Sequence, residues 1–202
     1  MNNQITKDDL ENIEAGIRSK YVKVAKSPEG QFKYPTGKKG LEALRYDKNL
    51  IDKLPDALAS SYCGVGCPYS LGKIDTGEQV LDIGCGAGVD TILAAMMTGL
   101  AGNVTGVDIV PEMLERAATN LRMTDLKNVT FKKASGENLP FPGDSFDVVI
   151  SNGAINLIPD KERALTEIFR VLKPGGRLMM ADQVASGSVQ KEIKARLANW
   201  FR

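Results

Sequence analysis

Val80-Leu81-Asp82-Ile83-Gly84-Cys85-Gly86-Ala87-Gly88-Val89-Asp90 is the stretch that decides the fold. The apolar run Val80 to Ile83 reads as a buried parallel strand. It leads into three glycines at alternate positions, Gly84, Gly86 and Gly88. A helical pattern follows, with Ile92, Leu93, Ala95 and Met96 on one face. Strand, glycine turn and helix present bare backbone N–H groups to a ligand. Glycine admits the backbone angles of such a turn and lets the ligand approach closely.

Working outward, Val104 to Val107 reads as a second strand ending at Asp108, twenty positions after Gly88. An acidic residue there is placed to accept hydrogen bonds from both hydroxyls of an adenosine ribose. The spacing is G-x-G-x-G, because Val89 and Asp90 follow Gly88, and so departs from the dinucleotide pattern G-x-G-x-x-G. Asp82 puts a negative charge ahead of the turn, where a pyrophosphate is unwelcome and a sulfonium with an ammonium group is suited.

Composition narrows the class. With 202 residues one domain is the default, and a hydrophobic content of 43% supports a real core. The net charge of +1 implies no polyelectrolyte partner, so nucleic acid is not favoured. No apolar run is long enough for a transmembrane helix, and no membrane partner is expected. The N-terminal ten residues lack the apolar core of a secretory signal. Three cysteines fit a reducing compartment, and a cytoplasmic location, better than a disulfide framework. The chain has no histidine, which removes histidine acid–base catalysis, Ser-His triads and histidine metal sites. Nothing in the sequence indicates a homo-oligomer or opposes one.

Along the chain, Thr6-Lys7-Asp8-Asp9 looks like a helix cap, and Leu10, Ile13, Ile17, Tyr21 and Val24 recur at helical spacing. Ser27 to Lys39 reads as a loop, in which Phe32 and Tyr34 are local packing or lid aromatics. Leu41 to Arg45 and Lys48 to Leu58 look helical. We divide the chain into an N-terminal helical cap or lid region over 1–59 and a ligand-binding domain over 60–202.

Ser60 to Leu71 holds Cys63 and Cys67, four apart and bracketing Gly64 and Gly66. This is either a tight turn with two small residues or a thiol site for a soft metal or metalloid. A zinc site needs four ligands, and one of only three cysteines lies in the glycine turn, so no metal is assigned. Pro111 to Met123 reads as a helix opened by its proline. Met113, one turn in, is either core or an adenine contact. Val129 to Lys133 is a third strand, followed by Ser135-Gly136-Glu137-Asn138-Leu139-Pro140-Phe141.

Ser145-Phe146-Asp147-Val148-Val149-Ile150 contains a fourth strand, ending in Ser151-Asn152-Gly153-Ala154-Ile155-Asn156-Leu157. Ligands of open α/β sheets sit at the carboxyl ends of strands, so Ser151 and Asn152 are candidates to orient substrate or cofactor. Lys161 to Leu172 is a helix stopped at Pro174-Gly175-Gly176, Arg177 to Asp182 a fifth strand, and Lys191 to Arg202 a charged amphipathic helix.

Five motifs resemble, in order, those of the class I S-adenosylmethionine-dependent methyltransferases. They are Leu81 to Gly88, Gly106-Val107-Asp108-Ile109, Glu137 to Phe141, Ser145 to Val149, and Arg170-Val171-Leu172-Lys173-Pro174-Gly175-Gly176. The resemblance covers about residues 60 to 185. It implies a Rossmann-like, doubly wound and mostly parallel sheet of about five strands. It implies S-adenosylmethionine as cofactor, S-adenosylhomocysteine as product, and an enzyme that methylates a small molecule. The expected cofactor contacts are Asp82, Gly84, Cys85, Gly86, Gly88, Asp108, Ile109 and Met113, then Gly136, Glu137, Ser151 and Asn152. Tyr21 joins them, because small-molecule members often carry an N-terminal helix over the cofactor. The adenine-side loop usually carries an acidic residue where this chain has Ser135. Members usually add a C-terminal antiparallel hairpin, for which we find no sequence. A compact variant, a truncated chain and a sheet edge completed by a partner all remain open.

Transfer from a sulfonium is an in-line displacement, so the protein mainly holds nucleophile and methyl collinear, which lowers barriers by roughly 7–11 kcal/mol. No catalytic base is assigned. A narrower resemblance, in Tyr62 to Pro68 and Ser151 to Lys161, is to the arsenite methyltransferases, which bind trivalent arsenic through cysteines. Cys67 occupies the place of one ligand, Gly153 stands where a second is expected, and a third has no counterpart. Cys63, Cys67 and Asn156 are therefore the candidate acceptor contacts. A quinone- or sterol-type carbon methyltransferase and a non-catalytic cofactor-binding module are the alternatives.

Overall fold

The structure, a computed structural model, describes residues 6–184. The helix expected over Lys191 to Arg202 lies outside them. Five parallel strands form one sheet in the order β3-β2-β1-β4-β5. They are β1 (Gln79–Ile83), β2 (Asn103–Asp108), β3 (Val129–Lys133), β4 (Phe146–Asn152) and β5 (Leu172–Ala181). This is the expected α/β sheet. Its order reverses beside β1, which opens a crevice at the carboxyl ends of β1 and β4.

Alternation along the strands sorts side chains onto two faces. Val80, Val104, Val148 and Ile150 pack with Ala94 and Ala95 of α5 (Val89–Thr98). Leu81, Ile83, Val107 and Val149 pack with Ile168 and Val171 of α7 (Lys161–Val171) on the other face. Helix α6 (Pro111–Leu121) opens on its proline and covers β2 and β3.

Helix α1 (Lys7–Lys26) starts with a capping box. Thr6 accepts from the Asp9 N–H, and Asp9 accepts from the Thr6 N–H. Its buried face, Ile13, Ile17 and Val24, packs with Ala87, Val110 and Met113. The single helix expected over Lys48 to Leu58 is instead two short ones, α3 (Lys48–Ile51) and α4 (Asp56–Ala59). Pro55 separates them, because it disfavours helical angles in the residue before it. Helix α2 (Gly37–Ala43) begins inside the expected loop. Leu41, Tyr46, Ile51 and Leu58 of this region share a core with Val89, Ile92 and Leu93 of α5.

The edge strand β5 starts earlier than Arg177. Phe146 pairs with Leu172, and Val148 next pairs with Arg177, so Lys173 to Gly176 bulge out of the ladder. No helix among the described residues is long and apolar enough to cross a membrane.

Candidate functional site

The crevice is a cleft of about 1160 Å³, counted out to its open mouth. Its floor is the glycine turn. Gly84, Gly86 and Gly88 all have positive φ, at 71°, 51° and 79°. Gly84 also has no room for a side chain, since a Cβ there would lie 2.2 Å from the Ala154 Cβ. The turn is tied to β2 by the N–H groups of Gly84 and Cys85, which donate to the Val107 carbonyl at 2.8 and 2.9 Å. Gly88, the N-cap of α5, has no side chain to cap it, and the Asp82 carboxyl takes the Thr91 N–H of the first turn.

Asp108 ends β2 at the cleft wall. One carboxylate oxygen accepts from the Gly86 N–H at 2.9 Å and the other from the Val110 N–H at 2.8 Å. Each oxygen keeps a lone pair for a ribose hydroxyl. Burial raises its pKa and these N–H groups lower it. Asp82 is 2% exposed, and its carboxyl accepts from the Thr91 hydroxyl at 2.6 Å. Burial, then the nearby Asp90, pushes its pKa up to about 8. Asp90, on the first turn of α5, is pushed up to about 6 by burial.

Twelve of the residues singled out in the sequence line the cleft. They are Tyr21, Cys63, Asp82, Gly84, Cys85, Gly86, Asp108, Ile109, Met113, Gly136, Glu137 and Asn152. Ile109, Met113 and Gly136 form its apolar side next to Asp108. Tyr21 comes from α1, which also brings Glu14 and Ile17 over the mouth. Glu137 is engaged by its neighbours, with one carboxylate oxygen accepting from the Asp160 N–H at 2.9 Å.

Four candidates fall elsewhere. Ser151 lies on the α7 face of β4, one residue out of phase with Asn152, and its hydroxyl donates to the Ile83 carbonyl at 3.0 Å. Gly88 packs beneath the turn against Phe131 and Ala117 instead of facing the cleft. Asn156 sits in a 3-10 turn (Ile155–Leu157) outside the cleft lining, and its N–H donates to Asp182 at 2.9 Å. Cys67 packs against the core around Tyr46 and Tyr62, so the thiol on the cleft is Cys63 and not its neighbour four residues on.

Sequence reasoning left Tyr34 as either local packing or a lid aromatic, and missed Asp90, Tyr46 and Tyr62. Tyr34 lines the cleft and donates to the Cys63 carbonyl at 3.1 Å. The signal for Asp90 was a charge in a helix that is otherwise almost wholly apolar. Burial pushes the Cys63 thiol up to about 12, and the neighbouring Asp108 and Asp90 add to it.

Among the described residues, the lining carries five carboxylates, Glu14, Asp82, Asp90, Asp108 and Glu137, and no lysine or arginine. Asp82 keeps its proton at neutral pH, and the other carboxylates repel phosphates and suit a cationic ligand with free hydroxyls. Glycine cradle, paired ribose acceptor and acidic lining together fit S-adenosylmethionine, and they define an α/β domain built for that cofactor. The chain belongs to the methyltransferase-domain family, which its residues 74–202 match. That family is S-adenosylmethionine-dependent, and the cofactor of this chain is S-adenosylmethionine.

An arsenite methyltransferase from Halobacterium salinarum is 39% identical over 155 residues, which are 77% of this chain and 39% of that protein. A demethylmenaquinone methyltransferase from Listeria welshimeri is 38% identical over 110 residues, covering 54% of this chain and 47% of that one. Among solved structures, an arsenic(III) S-adenosylmethionine methyltransferase from Chlamydomonas reinhardtii superposes with a TM-score of 0.61. It has 35% identity, and the match covers 74% of this chain and 50% of that one. The chain thus spans less than half the length of these curated relatives.

Proposed function

We propose that this domain transfers a methyl group from S-adenosylmethionine to a small, uncharged acceptor, and that the acceptor is trivalent arsenic. The observation that carries this reading is the half-buried thiol of Cys63 on a cleft whose described residues include five carboxylates and no lysine or arginine, the other cysteine of the lining, Cys85, being buried. Such a lining disfavours phosphate and carboxylate acceptors. Arsenite at neutral pH is the uncharged trihydroxide, and it is soft enough to prefer sulfur. Cys63 bonds to arsenic while one hydroxide leaves as water with the thiol proton. Added thiols such as glutathione displace the remaining hydroxides in the same way. The relatives that methylate arsenic support the same class.

S-adenosylmethionine supplies a methyl group already activated by its sulfonium. Asp108 accepts the ribose hydroxyls, the glycine turn admits the backbone of the ligand, and Ile109 and Met113 enclose the base. Tyr21 and Tyr34 close the side next to Cys63 and exclude water. An arsenic lone pair needs no proton removed, so the absence of histidine is no obstacle.

The Listeria relative favours a second reading, a carbon acceptor of the quinol type held against Ile17, Tyr21, Tyr34 and Ile158. Mass spectrometry after incubation with methyl-labelled S-adenosylmethionine separates the two. We expect labelled methylarsenic with arsenite and glutathione, lost in Cys63→Ser and kept in Cys67→Ser. Label on a demethylated quinol instead, or on no acceptor, would overturn the arsenic reading.

A further inference from the structure

The loop from Tyr62 to Cys67 brings Cys63 onto the cleft, and Asn152, at the end of β4, grips that loop by its backbone. The Asn152 side-chain oxygen accepts from the Val65 and Gly66 N–H groups at 2.8 and 3.1 Å. Its amide nitrogen lies 2.8 Å from the Gly66 carbonyl and 2.9 Å from an Asp90 carboxylate oxygen. The same nitrogen lies 3.0 and 3.2 Å from the Tyr46 and Tyr62 hydroxyls. Both hydroxyls also reach the Gly66 carbonyl, at 3.0 and 2.9 Å. The Tyr46 hydroxyl lies 2.7 Å from the other Asp90 oxygen, and the two hydroxyls lie 3.0 Å apart. Tyr46 is 6% and Tyr62 2% exposed, so the protein and not water supplies these partners.

Asn152 lines the cleft, yet it has nothing left to offer a ligand. An amide oxygen has two lone pairs, and two N–H groups take them. The amide nitrogen has two hydrogens, and four acceptors of the protein surround it. The hydroxyls and the amide nitrogen share their acceptors, so each can lose one partner and keep another. The oxygen is not duplicated in this way. Among the described residues, only Asn152 accepts from the Val65 and Gly66 N–H groups. On the other side of Cys63, the Gly37 N–H donates to the Tyr62 carbonyl at 2.7 Å, and the Tyr34 hydroxyl donates to the Cys63 carbonyl at 3.1 Å. Cys63 therefore stands between fixed points of the chain. Gly64 is pressed onto the amide, since a Cβ there would lie 2.3 Å from the Asn152 amide nitrogen and 2.5 Å from the Tyr62 hydroxyl oxygen.

We propose that Asn152 is a positioning residue for the acceptor thiol. Its side-chain oxygen holds Val65 and Gly66 so that Cys63 faces the cofactor cleft, and it makes no polar contact with the cofactor itself. This rests on the reading of Cys63 as the acceptor contact, but the placement of the thiol is measured without any methyl acceptor. The rates at which methyl methanethiosulfonate modifies Cys63 and Cys85 at neutral pH are followed by peptide mass spectrometry. Cys85, buried in the glycine turn, reports opening of the domain as a whole. Asn152→Ala should raise the Cys63 rate about tenfold, the scale of one or two buried hydrogen bonds, with the Cys85 rate and the affinity for S-adenosylhomocysteine unchanged. Gly64→Ala keeps every hydrogen-bonding group, has no positive φ to strain, and pushes the loop off Asn152, so it should raise the Cys63 rate as well. If Asn152→Ala does not fold, Gly64→Ala carries the test. A Cys63 rate that stays at the wild-type value in the folded variants would overturn the proposal. So would a Cys85 rate that rises in step, which is a general loosening of the fold. A loss of affinity for S-adenosylhomocysteine in Asn152→Ala would overturn it too, by making Asn152 a cofactor contact. Failure of the wild-type chain to methylate arsenic would overturn the acceptor reading and leave these rates as they stand.

Discussion

Asp108 spends one lone pair of each carboxylate oxygen on the Gly86 and Val110 N–H groups, so it shapes the turn and offers the remaining pairs to the ligand. Asp108→Ala removes both contributions. Calorimetry with S-adenosylhomocysteine should show binding weakened by about 1–3 kcal/mol, the loss of charged hydrogen bonds. Asp82 makes a second prediction. Its pKa is raised from 3.8 to about 8 in the folded chain, chiefly by burial. Between those values the folded state keeps a proton that the unfolded state has released. Stability of the ligand-free chain therefore falls as pH rises through that window and levels off above it. Asp82→Asn keeps an acceptor for Thr91 and should flatten this slope in thermal melts from about pH 5 to pH 9. A slope as steep as that of the parent would place the proton elsewhere.

At this scale the sequence was legible where spacing alone sets geometry. Gly84, Gly86 and Asp108 are fixed relative to their own strands and line the cleft, whereas Gly88, from the same pattern, packs beneath the turn. Ser151 and Asn152 were not separable, because the choice depends on which face of β4 turns to the cleft. Cys63 and Cys67 were not separable either, because tertiary packing, not local spacing, sets Cys63 on the cleft and Cys67 against the core around Tyr46 and Tyr62.

Among the elements, α1 was the most readable outside the glycine turn, since its cap and its apolar stripe are both local signals. Ile13 is 1% exposed and is not itself part of the cleft lining, so Ile13→Ala tests the docking of the helix on Ala87, Val110 and Met113. Denaturant unfolding should show a loss of about 2–5 kcal/mol, typical of a buried isoleucine truncated to alanine. A loss under about 1 kcal/mol would mean that α1 is not part of the cooperative core. The pattern over Lys48 to Leu58 misled because apolar periodicity continues past Pro55 while the backbone cannot. The Lys173–Gly176 bulge was readable as a turn, but not as an excursion inside a strand, because pairing with β4 resumes beyond it.

For the whole molecule, the number of strands and the place of the cleft at their carboxyl ends were within reach of the sequence, whereas the strand order β3-β2-β1-β4-β5 was not read from it. The charge of the cleft was not. A net charge of +1 over the chain conceals a lining that, among the described residues, has five carboxylates and no basic side chain, an asymmetry that only folding creates. It is also the feature that separates a sulfonium cofactor from a nucleotide phosphate. The central claim is therefore tested most directly by titrating the chain with S-adenosylmethionine and, in parallel, with ATP, by calorimetry. The account predicts saturable one-site binding of S-adenosylmethionine and no binding of ATP. Binding of ATP, or none of S-adenosylmethionine, would contradict it.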